Sequence, residues 1–337
     1  MKTKKILSLV LACALALSTL VALASCNTSV KIKVNPDKEH YVVGICQLVT
    51  HDALDAATQG FKDALTAELE AAGRTVEFKE GNASGDSNTC NTIVNSFVAE
   101  DVDLIMANAT AALQAASNAT ATIPVLGTSI TEYGVALGLN DFNGTVGNNI
   151  SGTSDLAPLE TQAQMMLDLL PGVKKIGLLY CSAEPNSKYQ VDVVKAYLEG
   201  KNITCTEYSF VDSNDLPAIV NGAVTACDAI YIPTDNTAAS NTAIIDSACS
   251  AANIPVFAGE EGICRGCGFA TLSISYYNIG YKTGEMAAKV LLGEEDITEM
   301  AIAYDEAPVK KYNATICEKL GITVPEDYTA ITNIEQE

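Results

Sequence analysis

The sequence contains no tryptophan, two histidines, His40 and His51, and two arginines, Arg74 and Arg265. Each scarcity closes off a chemistry. Sugar sites commonly stack pyranose faces on Trp or Phe and pair hydroxyls with Arg, so a carbohydrate has little here to hold it. Neither histidine is accompanied by a Gly-x-Ser-x-Gly elbow, which leaves a serine hydrolase without support. No HxxxH and no second CxxC exists to complete a zinc site, and the acidic residues show no EF-hand spacing. The Gly-rich stretch at 81–88 lacks the lysine and glycine spacing of a phosphate loop and reads as the capped start of a helix. Basic residues number 20 against 41 acidic ones, a net charge of −21. Such a chain repels nucleic acid and anionic lipid headgroups.

Cysteine is not scarce, yet its arithmetic argues against a disulfide framework. Of 11 cysteines, Cys13 and Cys26 fall in an N-terminal export segment, and the nine others make an odd number. Cys46, Cys181, Cys205 and Cys227 sit in or beside apolar runs, where a thiol behaves as a small hydrophobe. Cys264-Arg-Gly-Cys267 has redox spacing but precedes a strand instead of opening a helix, so helix-dipole activation is missing. It reads as a local disulfide or as two loop thiols.

The N-terminus carries Lys2, Lys4 and Lys5, then an apolar run from Ile6 to Ala24, then Leu23-Ala24-Ser25-Cys26. This resembles the lipobox of bacterial lipoproteins, with an ordinary secretory signal or a single membrane anchor as alternatives. Residues 1–25 are thus expected to be a signal peptide, Cys26 the lipidation site and residues 26–39 a polar tether. Cleavage leaves 312 residues, and losing the three lysines takes the net charge to −24. That length suits two lobes better than one core. No second apolar run reaches membrane-spanning length, so contact with the membrane is expected through the lipid alone.

Short β-branched runs alternate with helical patterns, the sign of parallel sheets covered by helices. Strands are expected at 41–46, 75–79, 103–107 and 123–127, with helical periodicity between them. A polar, Gly-rich break at 140–149 is the candidate hinge. The pattern then restarts, with strands at 173–180, 203–210, 228–233, 254–258 and 269–275. The fold class is α/β, two doubly wound parallel-sheet lobes. Ligands of such sheets lie beyond the carboxyl ends of the strands. Those ends are 47–51, 107–110, 127–131, 180–187, 233–236 and 258–261, all polar and all without lysine or arginine.

Within them, Asp235 follows a buried strand and either caps the next helix or faces a ligand ammonium. Asn186 and Ser187 open a helix and present amides and a hydroxyl suited to a carboxylate. Together they describe a seat for a zwitterion. Gln47, Thr110 and Ser129 are expected to add hydrogen bonds, with His51, Tyr180, Glu184, Asn236 and Tyr276 also at the ligand. Tyr133, Phe142 and Tyr276 are candidates to pack a ring. Cys181 could pair with His51 as a nucleophile, but no neighbouring cation lowers its pKa.

Four segments, Gln47-Leu-Val-Thr-His-Asp-Ala-Leu-Asp-Ala-Ala, Ser151-Gly-Thr-Ser-Asp-Leu-Ala-Pro, Tyr180-Cys-Ser-Ala-Glu-Pro-Asn-Ser and Tyr231-Ile-Pro-Thr-Asp-Asn-Thr-Ala-Ala-Ser, resemble the tryptophan/tyrosine-type substrate-binding proteins of ABC importers. The similarity spans 41–325. It departs at Cys181, where the family often has Asn, and at the Cys-Arg-Gly-Cys stretch. The resemblance implies a type I periplasmic-binding-protein fold with a three-segment hinge. Its first lobe would be 40–146 plus 270–294 and its second 147–269 plus 295–337. It further implies a non-enzyme that captures an aromatic amino acid without cofactor or metal. Such a protein would be a monomer, anchored to the outer face of the cell membrane, serving an ABC permease and its ATPase. Rival readings are a sugar or nucleoside ligand on the same fold, and an anchored cysteine enzyme.

Overall fold

The computed structural model describes residues 31–304 and 308–331; the expected signal peptide and Cys26 lie outside them. The first lobe begins with β1 (His40–Gln47), α1 (Asp52–Ala71), β2 (Thr75–Asn82), α2 (Ser87–Ala99) and β3 (Leu104–Asn108). It continues through α3 (Thr110–Ala119), β4 (Val125–Ile130), α4 (Tyr133–Leu137) and β5 (Ile150–Ser154). The second lobe holds α5 (Leu159–Leu169), β6 (Lys175–Cys181), α6 (Pro185–Gly200), β7 (Thr204–Phe210), α7 (Leu216–Ala226) and β8 (Ala229–Ile232). After α8 (Asn236–Ala239), α9 (Thr242–Ala252), β9 (Val256–Ala258), α10 (Glu261–Gly266) and β10 (Ala270–Ser273), the chain returns to the first lobe as α11 (Tyr276–Leu291) and β11 (Ala303–Tyr304). It ends in the second lobe with β12 (Val309–Tyr312), α12 (Ala314–Leu320) and β13 (Thr329–Ala330).

The first sheet runs β11-β5-β4-β3-β1-β2 and is wholly parallel; the second runs β13-β12-β10-β9-β8-β6-β7, with β12 antiparallel to β10. Inner strands such as Leu104–Asn108 and Ala229–Ile232 are buried along their whole length, because helices cover both faces of each sheet. An apolar cluster accordingly fills each face of each sheet. The edge strands β2 and β7 instead alternate half-buried and exposed residues along most of their length. Strand order reverses between β1 and β3 in one sheet and between β6 and β8 in the other. These switch points open crevices at the strand ends.

α11 is fastened to α1 by the absence of side chains. A Cβ on Gly280 would collide with the Ala57 carbonyl, and one on Gly60 with the Tyr277 carbonyl. The two backbones therefore approach far more closely than larger residues permit.

The lobe limits differ from the sequence expectation. β5 joins the first sheet, pairing Ile150 with Val125, so the first crossing falls at 155–158 rather than at 146. The polar break at 140–149 is a loop inside the first lobe: turn-forming residues mark a loop without saying what it connects. β10 pairs with β9 in the second sheet, and the crossing comes after it, so only the helix of the 270–294 segment returns. β11 belongs to the first sheet, which puts the third crossing between Tyr304 and Val309. The latter half of the expected tether also lies against the first lobe. Lys33 N donates to Thr122 O at 2.7 Å, and Ile32 and Val34 cover an apolar cluster.

Candidate ligand-binding site

The two lobes touch across a polar cavity lined by His51, Leu54, Ser129, Thr131, Asp155, Asn186, Thr234, Asp235, Asn236, Ala239, Glu260 and Tyr276. The space open to a water centre is about 10 Å³, room for roughly one water molecule. Two contacts, from His51 and from Arg265, bridge the lobes around it, and a third, from Tyr276 to Asp155, lies at its edge within the first lobe. His51 Nε2 lies 3.2 Å from Asn236 Oδ1. The Tyr276 hydroxyl donates to Asp155 Oδ2 at 2.8 Å. Arg265 on α10 forms an ion pair with Asp52 on α1 and another, at 3.0 Å, with Glu261.

Asp235 sits at the switch point of the second sheet. Its Oδ2 accepts from Cys181 N (2.6 Å) and its Oδ1 from Ala238 N (2.8 Å), and Ser187 adds a hydroxyl bond. The helix-cap role is therefore real, yet the residue also lines the cavity. Burial, aided by the charge of Glu184, pushes its pKa up to about 8 against the pull of those donors. Glu260 follows β9 and caps α10 through Gly262 N (2.5 Å) and Ile263 N. Burial raises its pKa to about 7, with Asp52 raising it further and the two amides and Arg265 opposing. Asp155 directly follows β5; burial raises its pKa as well, opposed by the Tyr276 phenol, the Thr131 hydroxyl and its own backbone amide. Its second oxygen, Oδ1, has no hydrogen-bond partner. His51 is held below its ordinary pKa by burial, so the imidazole is neutral at pH 7. The cavity wall thus presents three buried carboxyl groups and no lysine or arginine.

Ser129 enters the wall through an irregularity in the sheet. The β4–β5 register shifts between Gly127 and Ile130, and Ser129 takes φ 56°, a left-handed conformation costly for a residue with a side chain. Bulges of this kind re-aim a side chain out of the ladder. Its hydroxyl is buried and unpartnered.

Of the sequence candidates, His51, Ser129, Asn186, Asp235, Asn236 and Tyr276 converge on the cavity. The rest do not. Gln47 is bound to Val49 O, Asp55 and Thr58 and lines a different pocket. Thr110 is buried at the start of α3, outside the cavity wall. Tyr180 lies on the face of the sheet, its hydroxyl donating to Glu207 at 2.8 Å. Glu184 is consumed by Asn236 and Thr237, which donate both backbone and side-chain groups to it; it braces Asn236. The side-chain part of the expected carboxylate seat is likewise spent. The Asn186 amide donates to Thr234 O (3.1 Å) and Glu184, and the Ser187 hydroxyl bonds Asp235. Of the first-turn backbone amides, Pro185 has no N–H and those of Ser187 and Lys188 donate to Glu184 O, so only the Asn186 N–H remains of it. Tyr133 is fully buried, bonds Gly127 O and Thr153 O, and stacks on Phe142 at 6.4 Å between centroids, all within the first lobe.

Asp155, Glu260, Thr131 and Thr234 were missed as site residues, although all but Asp155 lie in strand-end segments. Cys181, Cys264 and Cys267 are buried free thiols, and burial raises the pKa of each. Cys264 lies on α10 and Cys267 immediately follows it, rather than forming a loop. Among the described residues no group of His, Cys, Asp and Glu is arranged to hold a metal ion.

The family model for "ABC transporter substrate binding protein" matches residues 42–333. The chain belongs to this family. Among relatives of this substrate-binding protein is the "Tyrosine-binding protein" of Clostridioides difficile, 36% identical over 296 residues, covering 87% of this chain and 86% of that one. A Streptococcus pneumoniae ABC domain solved in complex with L-Trp is 30% identical, with a TM-score of 0.80 over 86% of this chain and 100% of the other. A substrate binding protein with adhesive properties from Clostridium difficile, solved in a ligand-free, open structure, is 34% identical but superposes at only 0.65 over 86% and 99% of the two chains. The more similar sequence gives the poorer superposition, as a rotation between lobes would produce. The lobes here are closed. Family and fold are those of an extracytoplasmic binding component of an ABC transporter rather than of an enzyme. Among the described residues no helix is long and apolar enough to cross a membrane.

Proposed function

We propose that this protein captures an aromatic amino acid outside the cell, held to the membrane through a lipid on Cys26, and delivers it to an ABC permease and its ATPase. The observation that carries the ligand class is the interlobe cavity walled by Asp155, Asp235 and Glu260 with no lysine or arginine. Buried carboxylates of this kind call for a positive partner, and the ammonium of an amino acid supplies one. Asp155 Oδ1 offers the open acceptor for it. The ligand carboxylate meets the Ser129 hydroxyl and the Asn186 backbone N–H at the start of α6, where the helix dipole favours negative charge.

The cavity as closed has no room for a ring. A second pocket of about 420 Å³ adjoins it, shares Glu260 and Tyr276, and is lined by Ala53, Ala56, Ile274 and Val309 together with the charged side chains of Asp52, Glu261, Arg265 and Lys311. It is the space available to an aromatic side chain once Tyr276 yields. The tyrosine-binding and L-Trp-bound relatives support the same ligand class. Binding energy that bridges both lobes shifts the open–closed equilibrium toward the closed form. Isothermal titration of residues 26–337 with the common amino acids tests the proposal. Saturable one-to-one binding of tyrosine, tryptophan or phenylalanine is expected, and no binding of any amino acid would remove the ligand class.

A further inference from the structure

Asp155, Asp235 and Glu260 reach one small cavity from three different strand ends, and each is at most 4% exposed. The charged and titratable groups around them come from every neighbouring element. The first lobe supplies His51, Asp52 and Asp55 at the start of α1, with the phenols of Tyr133 and Tyr276 beside Asp155. The second supplies Glu184 and Cys181 beside Asp235, and Arg265 near Glu260. Arg265 is the one cation among them, and it is already paired with Asp52 and Glu261. Two atoms of the cavity wall, Asp155 Oδ1 and Ser129 Oγ, are buried with no partner. Asp155 Oδ1 can only accept and Ser129 Oγ can accept or donate, so both are open to the polar groups of a ligand.

Several carboxyl groups around so little water cannot all be ionised. Two of them have pKa values pushed up to about 8 and about 7, so near neutral pH the closed, empty cavity retains protons. A ligand's N–H⁺ does the same electrostatic work with fixed geometry. We propose that the empty closed site is neutralised by protons on this carboxyl cluster, and that a ligand's cationic nitrogen is taken up in exchange for them. The exchange balances in charge: a carboxylic acid of the cluster gives its proton to buffer, and the ammonium seated on Asp155 supplies the positive charge that the proton had supplied. The inference rests on the reading of the ligand as an amino acid and adds a regulation to it. External acid competes with the ligand for the charge of the same cluster, and neutral sugars gain nothing from the exchange.

Isothermal titration of the lipid-free chain with L-tyrosine and L-tryptophan, in phosphate and in Tris at neutral pH, tests this because the two buffers absorb protons with different heats. The expected result is release of about one proton per ligand, and affinity that weakens about tenfold per unit of acidification over the range where the exchange operates. Glu260→Gln and Asp235→Asn should each reduce the number released. Binding with equal heats in both buffers would overturn the exchange and leave the amino-acid reading standing. If neither amino acid binds, the reading of function fails instead. The protons are then decided on the empty wild-type protein, whose infrared spectrum should show a carboxylic-acid carbonyl band near pH 6 that disappears by about pH 9. Absence of that band would overturn the proposal by itself.

Discussion

Asp155→Asn isolates the contribution of one charge to recognition. The amide has the size of the carboxyl group, and its oxygen can still accept from the Tyr276 hydroxyl that now lies 2.8 Å from Oδ2. What disappears is the acceptor charge at Oδ1, the buried oxygen without a partner. A hydrogen bond to a charged group contributes about 1.5–3 kcal/mol, so the dissociation constant for tyrosine or tryptophan should rise by about 10- to 150-fold. The fold should not suffer. Burial already raises the pKa of Asp155, so replacing it by a neutral group removes a desolvation cost, and the melting temperature of the empty variant should hold or rise. Isothermal titration and calorimetry on the same preparation separate the two effects. A dissociation constant within about twofold of the unsubstituted protein would refute the assignment of Asp155 to the ammonium.

Stability of the empty protein should depend on pH with a definite sign. Asp235 and Glu260 hold protons up to about pH 8 and about pH 7 that an unfolded chain has lost, so the melting temperature should fall as pH rises from about 5 to about 8; Glu260→Gln should flatten that slope, and a rising curve would contradict it. Ser129→Gly removes a hydroxyl from the cavity and relieves a left-handed residue worth about 1 kcal/mol. It should hold or gain stability in denaturant while binding weakens; tighter or unchanged binding would exclude the hydroxyl from the site. Gly280→Val should cost at least about 1–3 kcal/mol in urea unfolding, because the added atoms meet the Ala57 carbonyl. Ala56→Phe fills the adjoining pocket and should weaken tryptophan binding more than alanine binding; equal losses would place the ring elsewhere.

The layered α/β architecture was legible because its signals are local. Leu104–Asn108 and Ala229–Ile232 are short apolar runs between polar turns, and such runs become buried parallel strands whatever their partners. Lobe membership is not local. Ile150–Ser154 looks the same whether it opens the second lobe or closes the first, and only pairing with β4 decides it. The site divides in the same way. Asp235 could be singled out because it stands directly after a buried strand, and the structure gives it both the cap and a place in the cavity wall. Asp155 carries no such mark, because the sequence pattern puts the first crossing at 146 and only the pairing of β5 with β4 moves it to 155–158. Ser129 reaches the cavity through a register shift that no spacing rule encodes. Gln47, Tyr180 and Glu184 were reasonable by position, but their polar atoms are spent on neighbours within their own lobes, a fact visible only once those neighbours are in place.

A crystal structure of the protein with L-tyrosine or L-tryptophan tests the central claim most directly. The account predicts the amino acid between the lobes, its nitrogen about 2.8 Å from Asp155 Oδ1 and its carboxylate toward Ser129 and the start of α6. A ligand bound outside this cavity, or one whose carboxylate faces the acidic cluster, would contradict it.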